Sequence, residues 1–515
     1  MAPASSSLWV LSGTVVFASW LLYLLRRRQS FVGSYPPGPK SPSMPTLDAW
    51  IKYQEWGRKY GDLVYIRENN MLILNNTQVA VDLLDNRARI YSDRPTTNMM
   101  KACGADGILS IQRYSNKWRR NRKLFQQIFR QSTSNRFYAA QYMKIHQFLR
   151  SLTAVPEEFM QHTTSLSQGL MYAALYGLDI SPKDPLAQKA VETINLLGRV
   201  LVEPFPAVEL FPWLRFMPSW FPGCGFQKIA NNCVQAIKEA DSIPFDKALN
   251  NWKTGTGTSL IAELVLESEG ANIEDIKSMG TTSFLAASDT TLSSIGSFLL
   301  TMTQYPDVQS KGRAEIDRVV GRDRLPTFED RQSLPYVESI YREIMRMHPL
   351  FPLDSFMFQP KMTFTEVTTF LKVFETFAPL CIDKLIYFRS GCVVVPNIWA
   401  MNRDPNVYPD PDKFMPERFL DSSIGPFTSI NDVHAYGFGR RVCVGRYMAD
   451  NTVWLAIASV LATLDLRKAK DDEGNEIDIL GEYTKTFLRH PEPFQSSITP
   501  RDVQARELIL ATATM

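Results

Sequence analysis

The sequence predicts a mainly α-helical protein with small β-sheets, of the α+β class, preceded by an N-terminal transmembrane anchor helix. Its 515 residues are 45% hydrophobic and 21% charged, with a net charge of +3, which is enough to bury a large core. Most of the chain follows a helical periodicity, and only a few short runs have the alternation of strands. The first apolar run is long enough to cross a bilayer.

The N-terminal apolar run is the first predicted element. Residues 8–25 carry no charge, and three arginines follow directly at residues 26–28. About eighteen residues is near the lower limit for a transmembrane helix, and positive charge after the run places the rest of the chain in the cytosol. A cleaved signal peptide, the alternative, would carry its positive charge before the apolar run. We therefore expect a single-pass anchor within residues 1–30.

Residues 31–515 are predicted to form one domain, because they contain no Gly/Ser linker, internal repeat or low-complexity block. The proline-rich run at residues 35–39 predicts a stiff hinge between this domain and the membrane. Within the domain, the periodicity predicts a helix over residues 50–60, strands over 63–66 and 71–74, helices from 117 to about 240 interrupted at 204–222, and helices over 272–304 and 335–347.

The composition excludes several classes of function. The small net charge and the lack of a basic stripe argue against nucleic-acid binding. The six cysteines show no CxxC spacing and no disulfide framework. The five histidines include no HExxH, so a zinc hydrolase is not expected.

Cys443 lies in the most informative stretch, Tyr-Gly-Phe-Gly-Arg-Arg-Val-Cys-Val-Gly at residues 436–445. The glycines permit tight turns and let a flat ligand approach the main chain. The two arginines favour the thiolate, which is the form of cysteine that binds metal. Such a thiolate suits an axial haem ligand, which donates electron density to iron and promotes O–O cleavage. A structural cysteine in a glycine-rich turn is the alternative.

A second candidate site lies in the long helix predicted over residues 272–304. Two alanines, Asp289 and two threonines fall within residues 286–291. A carboxylate in an apolar helix needs a partner or a function, and a threonine hydroxyl bonded to the preceding turn bends a helix. The functional interpretation is an oxygen pocket, with Thr290 as hydrogen-bond donor and Asp289 in a proton relay. The alternative is a solvated aspartate beside a helix kink.

Two further pairs share helix faces. Glu343 and Arg346 are three residues apart, and Trp118 and Arg122 are four apart. If the first pair is buried, its guanidinium needs further partners, and Arg418 in Pro-Glu-Arg-Phe marks a neighbouring segment. The second pair offers an indole N–H and a guanidinium to a haem propionate. A surface ion pair and a surface arginine beside a core tryptophan are the alternatives.

Together, in this order, these motifs resemble the cytochrome P-450 superfamily across roughly residues 36–500. The haem-loop pattern F-x-x-G-x-R-x-C-x-G and the oxygen-helix pattern [AG]-G-x-[DE]-T-T are each matched at all positions but one, and E-x-x-R, P-E-R-F and W-x-x-x-R are present. The matching residues are Gly439, Arg441, Cys443 and Gly445; Ala286, Asp289, Thr290 and Thr291; Glu343 and Arg346; residues 416–419; and Trp118 and Arg122.

The resemblance implies a P-450 fold and a haem b group whose iron is ligated by the Cys443 thiolate. It also implies roles for the other residues. Trp118, Arg122, Arg441, Phe438, Gly439 and Gly445 would bind the cofactor, Thr290 and Asp289 would deliver protons, and Glu343, Arg346 and Arg418 would stabilise the scaffold.

The activity that the resemblance implies is insertion of one oxygen atom from O₂ into a lipophilic small molecule. NADPH electrons would come through a separate cytochrome P-450 reductase, because the chain has no flavin or nicotinamide fingerprint. The sequence resembles the fungal microsomal members of the family. By this analogy we expect an endoplasmic reticulum membrane location with a cytosolic catalytic domain, and a secondary metabolite as substrate. A haem-thiolate isomerase or peroxide rearrangement enzyme is one alternative, and an inactive haem-binding pseudoenzyme is another.

Residues 354–389 depart most from the family pattern. The family has a substrate-facing segment and a strand ending in I-P-x-G here, whereas this chain has neither; smaller departures are Tyr436 for Phe, Val444 for Pro and Ala287 for Gly. Read two nucleotides out of frame, codons that encode residues 356–367 can spell His-Val-Ser-Ala-Glu-Asp-Asp-Phe-Tyr-Gly-Gly, which resembles the family. We hypothesise an error in the gene model, in which a frame change and a retained intron have been translated as residues 354–389. A genuine insertion is the alternative.

Sequencing the transcript across this stretch tests the hypothesis. We expect a cDNA in which the coding sequence of residues 354–389 is replaced by a shorter, family-like segment. A cDNA that encodes residues 354–389 unchanged would exclude the error, and would favour the pseudoenzyme alternative.

Overall fold

The structure is a computed structural model and describes residues 35–45, 47–181, 184–268, 273–354, 357–358, 391–420, 430–486 and 488–513. The predicted membrane anchor and most of the anomalous stretch 354–389 lie outside these residues. In the part of the chain that the structure describes, no helix combines the length and the apolar character that crossing a membrane requires.

Sixteen α-helices and six strands make up the regular structure of the described residues. The helices are α1 (Ala49–Tyr60), α2 (Thr77–Ala80), α3 (Asn98–Ala102), α4 (Asn116–Phe129), α5 (Tyr138–Ala154), α6 (Phe159–Met171), α7 (Pro185–Val202), α8 (Pro206–Leu210), α9 (Phe226–Lys253), α10 (Leu260–Glu267), α11 (Ile273–Gln304), α12 (Pro306–Val319), α13 (Pro335–Met347), α14 (Ile398–Met401), α15 (Arg446–Thr463) and α16 (Val503–Ala511). The strands are β1 (Leu63–Ile66), β2 (Met71–Leu74), β3 (Met357–Phe358), β4 (Val393–Pro396), β5 (Leu464–Lys468) and β6 (Ser496–Pro500).

The predicted class, mainly helical with small sheets, is confirmed. Helix α13 and the strands β1 and β2 have the predicted bounds, and α1 begins one residue early. Proline at its first position starts α13, since the missing N–H would have no partner there. Helix α9 runs past the predicted end near residue 240 and contains Pro244.

The larger sheet has the strand order β1-β2-β4-β3. Strands β1 and β2 form an antiparallel hairpin that pairs Leu63 with Leu74, whereas β2 and β4 are parallel. The second sheet pairs β5 with β6 in an antiparallel register. Both sheets therefore join segments that lie far apart in the sequence.

Helix α15 forms the centre of the largest apolar cluster. All of its residues from 452 to 463 are buried, as expected of a helix that is surrounded by protein on every side. Side chains from α5, α11 and α13 pack against it in the same cluster. Because α15 begins at Arg446, three residues after Cys443, this packing fixes the end of the cysteine loop.

A buried ionic cluster joins α13 to the irregular segment 402–418. Glu343 accepts from Arg346 Nε at 2.7 Å and from Arg418 Nε at 3.1 Å, and all three side chains have no exposed surface. The main-chain N–H of Met415 also donates to Glu343, at 2.9 Å. The predicted pair is therefore buried, and the alternative of a surface ion pair is wrong.

The two guanidinium groups of this cluster also satisfy main-chain oxygens. Arg346 Nη1 donates to the carbonyl oxygens of Asn402 and Pro411, both at 2.8 Å. Arg418 Nη1 donates to the carbonyl oxygen of Pro409 at 2.8 Å. A segment without regular secondary structure thus gains partners for its buried carbonyl groups.

Glu343→Gln is expected to destabilise the protein by about 3–5 kcal/mol, because it leaves two buried guanidinium groups without a counter-charge. Urea denaturation followed by circular dichroism measures the change. Lys311→Ala is the control: it removes the exposed Lys311–Glu417 pair and should cost no more than about 1 kcal/mol. Equal losses in the two variants would contradict the assigned role of the cluster.

Candidate active site

The Cys443 loop is held in place by main-chain contacts. The N–H of Cys443 donates to the carbonyl oxygen of Tyr436 at 2.9 Å, which closes the loop on itself. Gly439 has a φ of 59°, and a Cβ there would lie 2.0 Å from the carbonyl oxygen of Leu84. Only glycine therefore allows the loop to pack against this backbone, and the Gly439 N–H donates to Asp85.

The Cys443 side chain faces open space and is exposed. Protein nevertheless encloses that space, so the thiol lies below the outer surface of the molecule. This burial raises the pKa of the thiol, while the Gly445 N–H, Arg122 and Arg446 act in the opposite direction. The sequence analysis expected the arginines within the loop to favour the thiolate. The guanidinium groups that lower the pKa of the thiol are instead those of Arg122, on α4, and Arg446, at the start of α15.

The arginines of the loop itself point elsewhere. Arg440 contacts the hydroxyl of Tyr114. Arg441 donates to three carbonyl oxygens, those of Ser92 at 2.7 Å, Leu109 at 3.2 Å and Gln112 at 2.8 Å. Arg441 therefore ties the loop to segment 92–112.

The structure brings Trp118, Arg122 and Arg441 together beside the loop. The guanidinium of Arg441 lies over the Trp118 ring, 4.3 Å from its centroid, and the Trp118 indole N–H donates to the carbonyl oxygen of Leu109 at 3.2 Å. Arg122 donates to the carbonyl oxygen of Val442. Its Nε is buried and has no hydrogen-bond partner among the described residues.

This cluster carries more positive than negative charge. Burial, together with Arg94 and Arg122, lowers the pKa of Arg441 to about 9 against the opposing effect of Asp93. Burial likewise lowers the pKa of Arg122 to about 10. Sequence reasoning missed Arg94, which is buried and stands in Asp-Arg-Pro at residues 93–95; its clustering with the other two becomes visible only in three dimensions.

These observations fit a flat, dianionic group such as haem. Its carboxylates would offset the excess positive charge and supply a partner for the orphaned Arg122 Nε. A Cβ at Gly445 would meet no atom within 4 Å, so open space lies beside the loop. The donor set is one soft thiol and several guanidinium groups, which suits a haem iron with its propionates.

Phe438 is buried in the apolar cluster of the larger sheet. Its ring stacks on His434, with the two centroids 5.0 Å apart. It thereby anchors the loop to the core, and its predicted contact with the cofactor stays a prediction.

Tyr436 replaces the phenylalanine of the family pattern, and its hydroxyl forms a hydrogen bond. It lies 2.9 Å from the hydroxyl of Tyr341 on α13, and burial raises the pKa of both phenols well above the usual range. Two neutral hydroxyls at this distance form one hydrogen bond. This substitution therefore adds a link between the cysteine loop and α13.

Helix α11 carries the second predicted motif. Thr290 Oγ1 donates to the carbonyl oxygen of Ala286 at 2.8 Å. A hydroxyl has one hydrogen, so in this conformation Thr290 offers the pocket an acceptor and not the donor that the sequence analysis assigns. Asp289 is 38% exposed, and its Oδ1 lies 3.3 Å from His490 Nε2.

The two motifs share one apolar cluster. Ala287 from α11 and Val444 from the cysteine loop both pack against the cluster that contains Trp118 and Met448. Helix α11 therefore lies alongside the loop and α4, as a site between them requires.

The family is identified by comparison with known proteins. A family model for cytochrome P450 matches residues 49–498. The chain belongs to the cytochrome P450 family. Members of this family carry a cysteine-thiolate-ligated haem and are oxidoreductases that incorporate oxygen.

Fungal proteins are among the relatives of this cytochrome P450. It is 34% identical to cytochrome P450 monooxygenase 176 of Postia placenta, over 98% of this chain and 97% of that protein. It is 32% identical to cytochrome P450 monooxygenase COX1 of Coprinopsis cinerea, over 92% and 93% of the two chains. A zebrafish cytochrome P450 structure with progesterone matches with a TM-score of 0.67 at 20% identity, covering 88% of this chain and 100% of that one, which supports the fold.

Cys443→Ala is expected to abolish the Soret band that thiolate-ligated haem shows in the reduced, CO-bound state, because the sulfur ligand is gone. Difference spectra of the purified protein measure this. Cys224→Ala is the control, since Cys224 is also a free cysteine but is buried in a cluster away from the loop. A thiolate band that persists in Cys443→Ala would contradict the ligand assignment.

Proposed function

We propose that the chain is a membrane-bound haem-thiolate monooxygenase that hydroxylates a lipophilic small molecule, with NADPH electrons supplied by a separate reductase. The observation that carries this proposal is the Cys443 thiol on a loop beside three guanidinium groups whose pKa values burial lowers, those of Arg94, Arg122 and Arg441. A structural cysteine would not need these charges.

Haem bound here would activate O₂ and insert one of its atoms into the substrate. Cys443 would ligate its iron. Arg122, Arg441 and Trp118 would hold the carboxylates, and we add Arg94 to this group because it belongs to the same cationic cluster. Their present carbonyl partners keep the side chains in place beside the loop.

Protons would reach the pocket along α11. Thr290 offers its oxygen as an acceptor, so it would orient a proton-donating water or the reacting oxygen rather than donate its own hydrogen. Asp289 is half-exposed beside it and would take up protons from water. Asp289 and Thr290 are adjacent in the sequence, so both lie on one turn of α11.

The protein surface formed by residues 123–132 and 444–447, next to Cys443, suits the docking of an acidic electron-donor protein. An open cavity of about 620 Å³ lies there, and Val444 places it next to the haem ligand. Of the residues that the structure describes, three cations and no acidic residue line it. These cations are Lys123, Arg130 and Arg446. Lys117, Arg119 and Arg120 add exposed charge along α4, so a reductase with a negative docking surface would bind here.

An exposed apolar segment supports a location at the membrane surface. Between α7 and α9, Trp220 is 80% exposed and Phe216 is 71% exposed, and Leu210, Phe211 and Trp213 are exposed as well. Aromatic side chains at this level of exposure suit a bilayer interface. With the predicted anchor at residues 8–25, we propose an endoplasmic reticulum location with the catalytic domain on the cytosolic side.

The substrate proposal rests on the apolar surface next to α11. Leu285, beside Ala286, belongs both to the cluster of Trp118 and to the cluster of α3 and α9. Partly buried side chains of the second cluster include Met100, Ile108 and Ile111. An apolar wall favours a lipophilic substrate, and the fungal relatives suggest a secondary metabolite.

Reconstitution with reductase, NADPH and ¹⁸O₂ tests the proposed function. We expect lipophilic compounds from a fungal extract to gain one ¹⁸O atom in a reaction that needs NADPH. Turnover without NADPH would favour the isomerase, and a thiolate band without any turnover would favour the pseudoenzyme.

Thr290→Ala is expected to uncouple the reaction, raising the peroxide released per NADPH consumed by about tenfold, because the acceptor that orients the proton donor is lost. Thr291→Ala is the control, as it removes a buried hydroxyl from the same turn. Unchanged coupling in Thr290→Ala would remove this residue from the proton route.

A further inference from the structure

Asp289 has a partner that the sequence did not indicate. Its Oδ1 lies 3.3 Å from Nε2 of His490, which comes from the segment between β5 and β6. The two side chains are 38% and 22% exposed. Among the described residues, no other charged group forms an ion pair with Asp289.

The segment that carries His490 is held against α11. The N–H of His490 donates to Thr484 Oγ1 at 2.9 Å, and the N–H of Thr484 donates to the carbonyl oxygen of His490 at 2.8 Å. Ser293 of α11 donates to the carbonyl oxygen of Arg489. Because Ser293 lies one helical turn beyond Asp289, this bond places His490 beside the carboxylate.

The neighbouring cations of the segment do not compete for Asp289. Lys485 pairs with Asp48 at 3.7 Å. The Arg489 guanidinium lies among aromatic rings, 4.4 Å from the centroid of Tyr483 and 5.0 Å from that of Trp399. His490 is therefore the group of this segment that meets the carboxylate.

We propose that His490 is a positioning residue for Asp289. Its Nε2 pairs with Oδ1 across 3.3 Å and holds the carboxylate in one orientation, so that the second carboxylate oxygen stays available to move protons towards Thr290. This inference rests on the proposed function, since it assigns a partner to the proton relay of that site.

Two substitutions separate positioning from other roles. His490→Leu removes the donor and keeps an apolar side chain, whereas His490→Gln keeps an N–H donor without an ionisable ring. We expect His490→Leu to slow proton delivery about tenfold, the effect of losing one hydrogen bond to a charged group. His490→Gln should stay within about threefold of the wild type.

Cryoreduction of the oxygen complex, followed by stepwise annealing and EPR, measures this step directly, since the spectrum changes when bound oxygen takes up a proton. Peroxide released per NADPH is the second readout. Lys485→Ala is the control, because it removes a charge from the same segment without touching Asp289. It should match the wild type in both measurements.

A double variant tests whether the two residues act as one unit. Asp289→Asn combined with His490→Leu should be no slower than Asp289→Asn alone, because His490 acts through the carboxylate. Additive losses would overturn the positioning role, as would a wild-type rate in His490→Leu or equal losses in the Leu and Gln variants. Those results leave the proposed function intact. A wild-type protein without the thiolate band would instead overturn both the proposed function and the positioning role of His490.

Discussion

Hydrogen bonds from buried or half-buried guanidinium groups to main-chain carbonyl oxygens are the interaction on which the rest of the structure depends. Arg346 and Arg418 bind carbonyl groups within residues 402–413, and Arg441 binds carbonyl groups within residues 92–112. Neither stretch is fully covered by helices or strands, so its buried carbonyl groups need other partners. An arginine offers five N–H donors in a fixed plane and can satisfy several at once.

The cost of burying these charges explains the character of the site. At the scaffold, the Glu343 carboxylate pairs with two guanidinium groups and also accepts a main-chain N–H. Beside Cys443 the charges are less well balanced, and burial and mutual repulsion lower the pKa of Arg441. Haem carboxylates and an iron-bound thiolate would supply the missing negative charge, so folding leaves an unfavourable cluster that cofactor binding relieves.

The sequence predicted local structure well, because local signals determine it. The proline that starts α13 and the strand alternation of β1 and β2 depend on neighbouring residues, and the spacing of Glu343 and Arg346 follows from the helix repeat. Apart from those that the motifs indicated, such as the contact of Arg418 with Glu343, interactions between distant segments were not predictable. Arg94 joins the cationic cluster and His490 meets Asp289 only through tertiary packing. The hydrogen of Thr290 is committed to Ala286, a rotamer choice that the motif does not reveal.

The ligation of iron by Cys443 is the central claim, and X-ray absorption at the iron edge of the purified ferric protein tests it most directly. We predict one sulfur atom among the nearest neighbours of iron, at about 2.3 Å, a typical metal–thiolate distance. A Cys443→Ser protein should keep its haem and lose this sulfur. A wild-type spectrum with only nitrogen and oxygen neighbours, or a sulfur that persists in Cys443→Ser, would contradict the account.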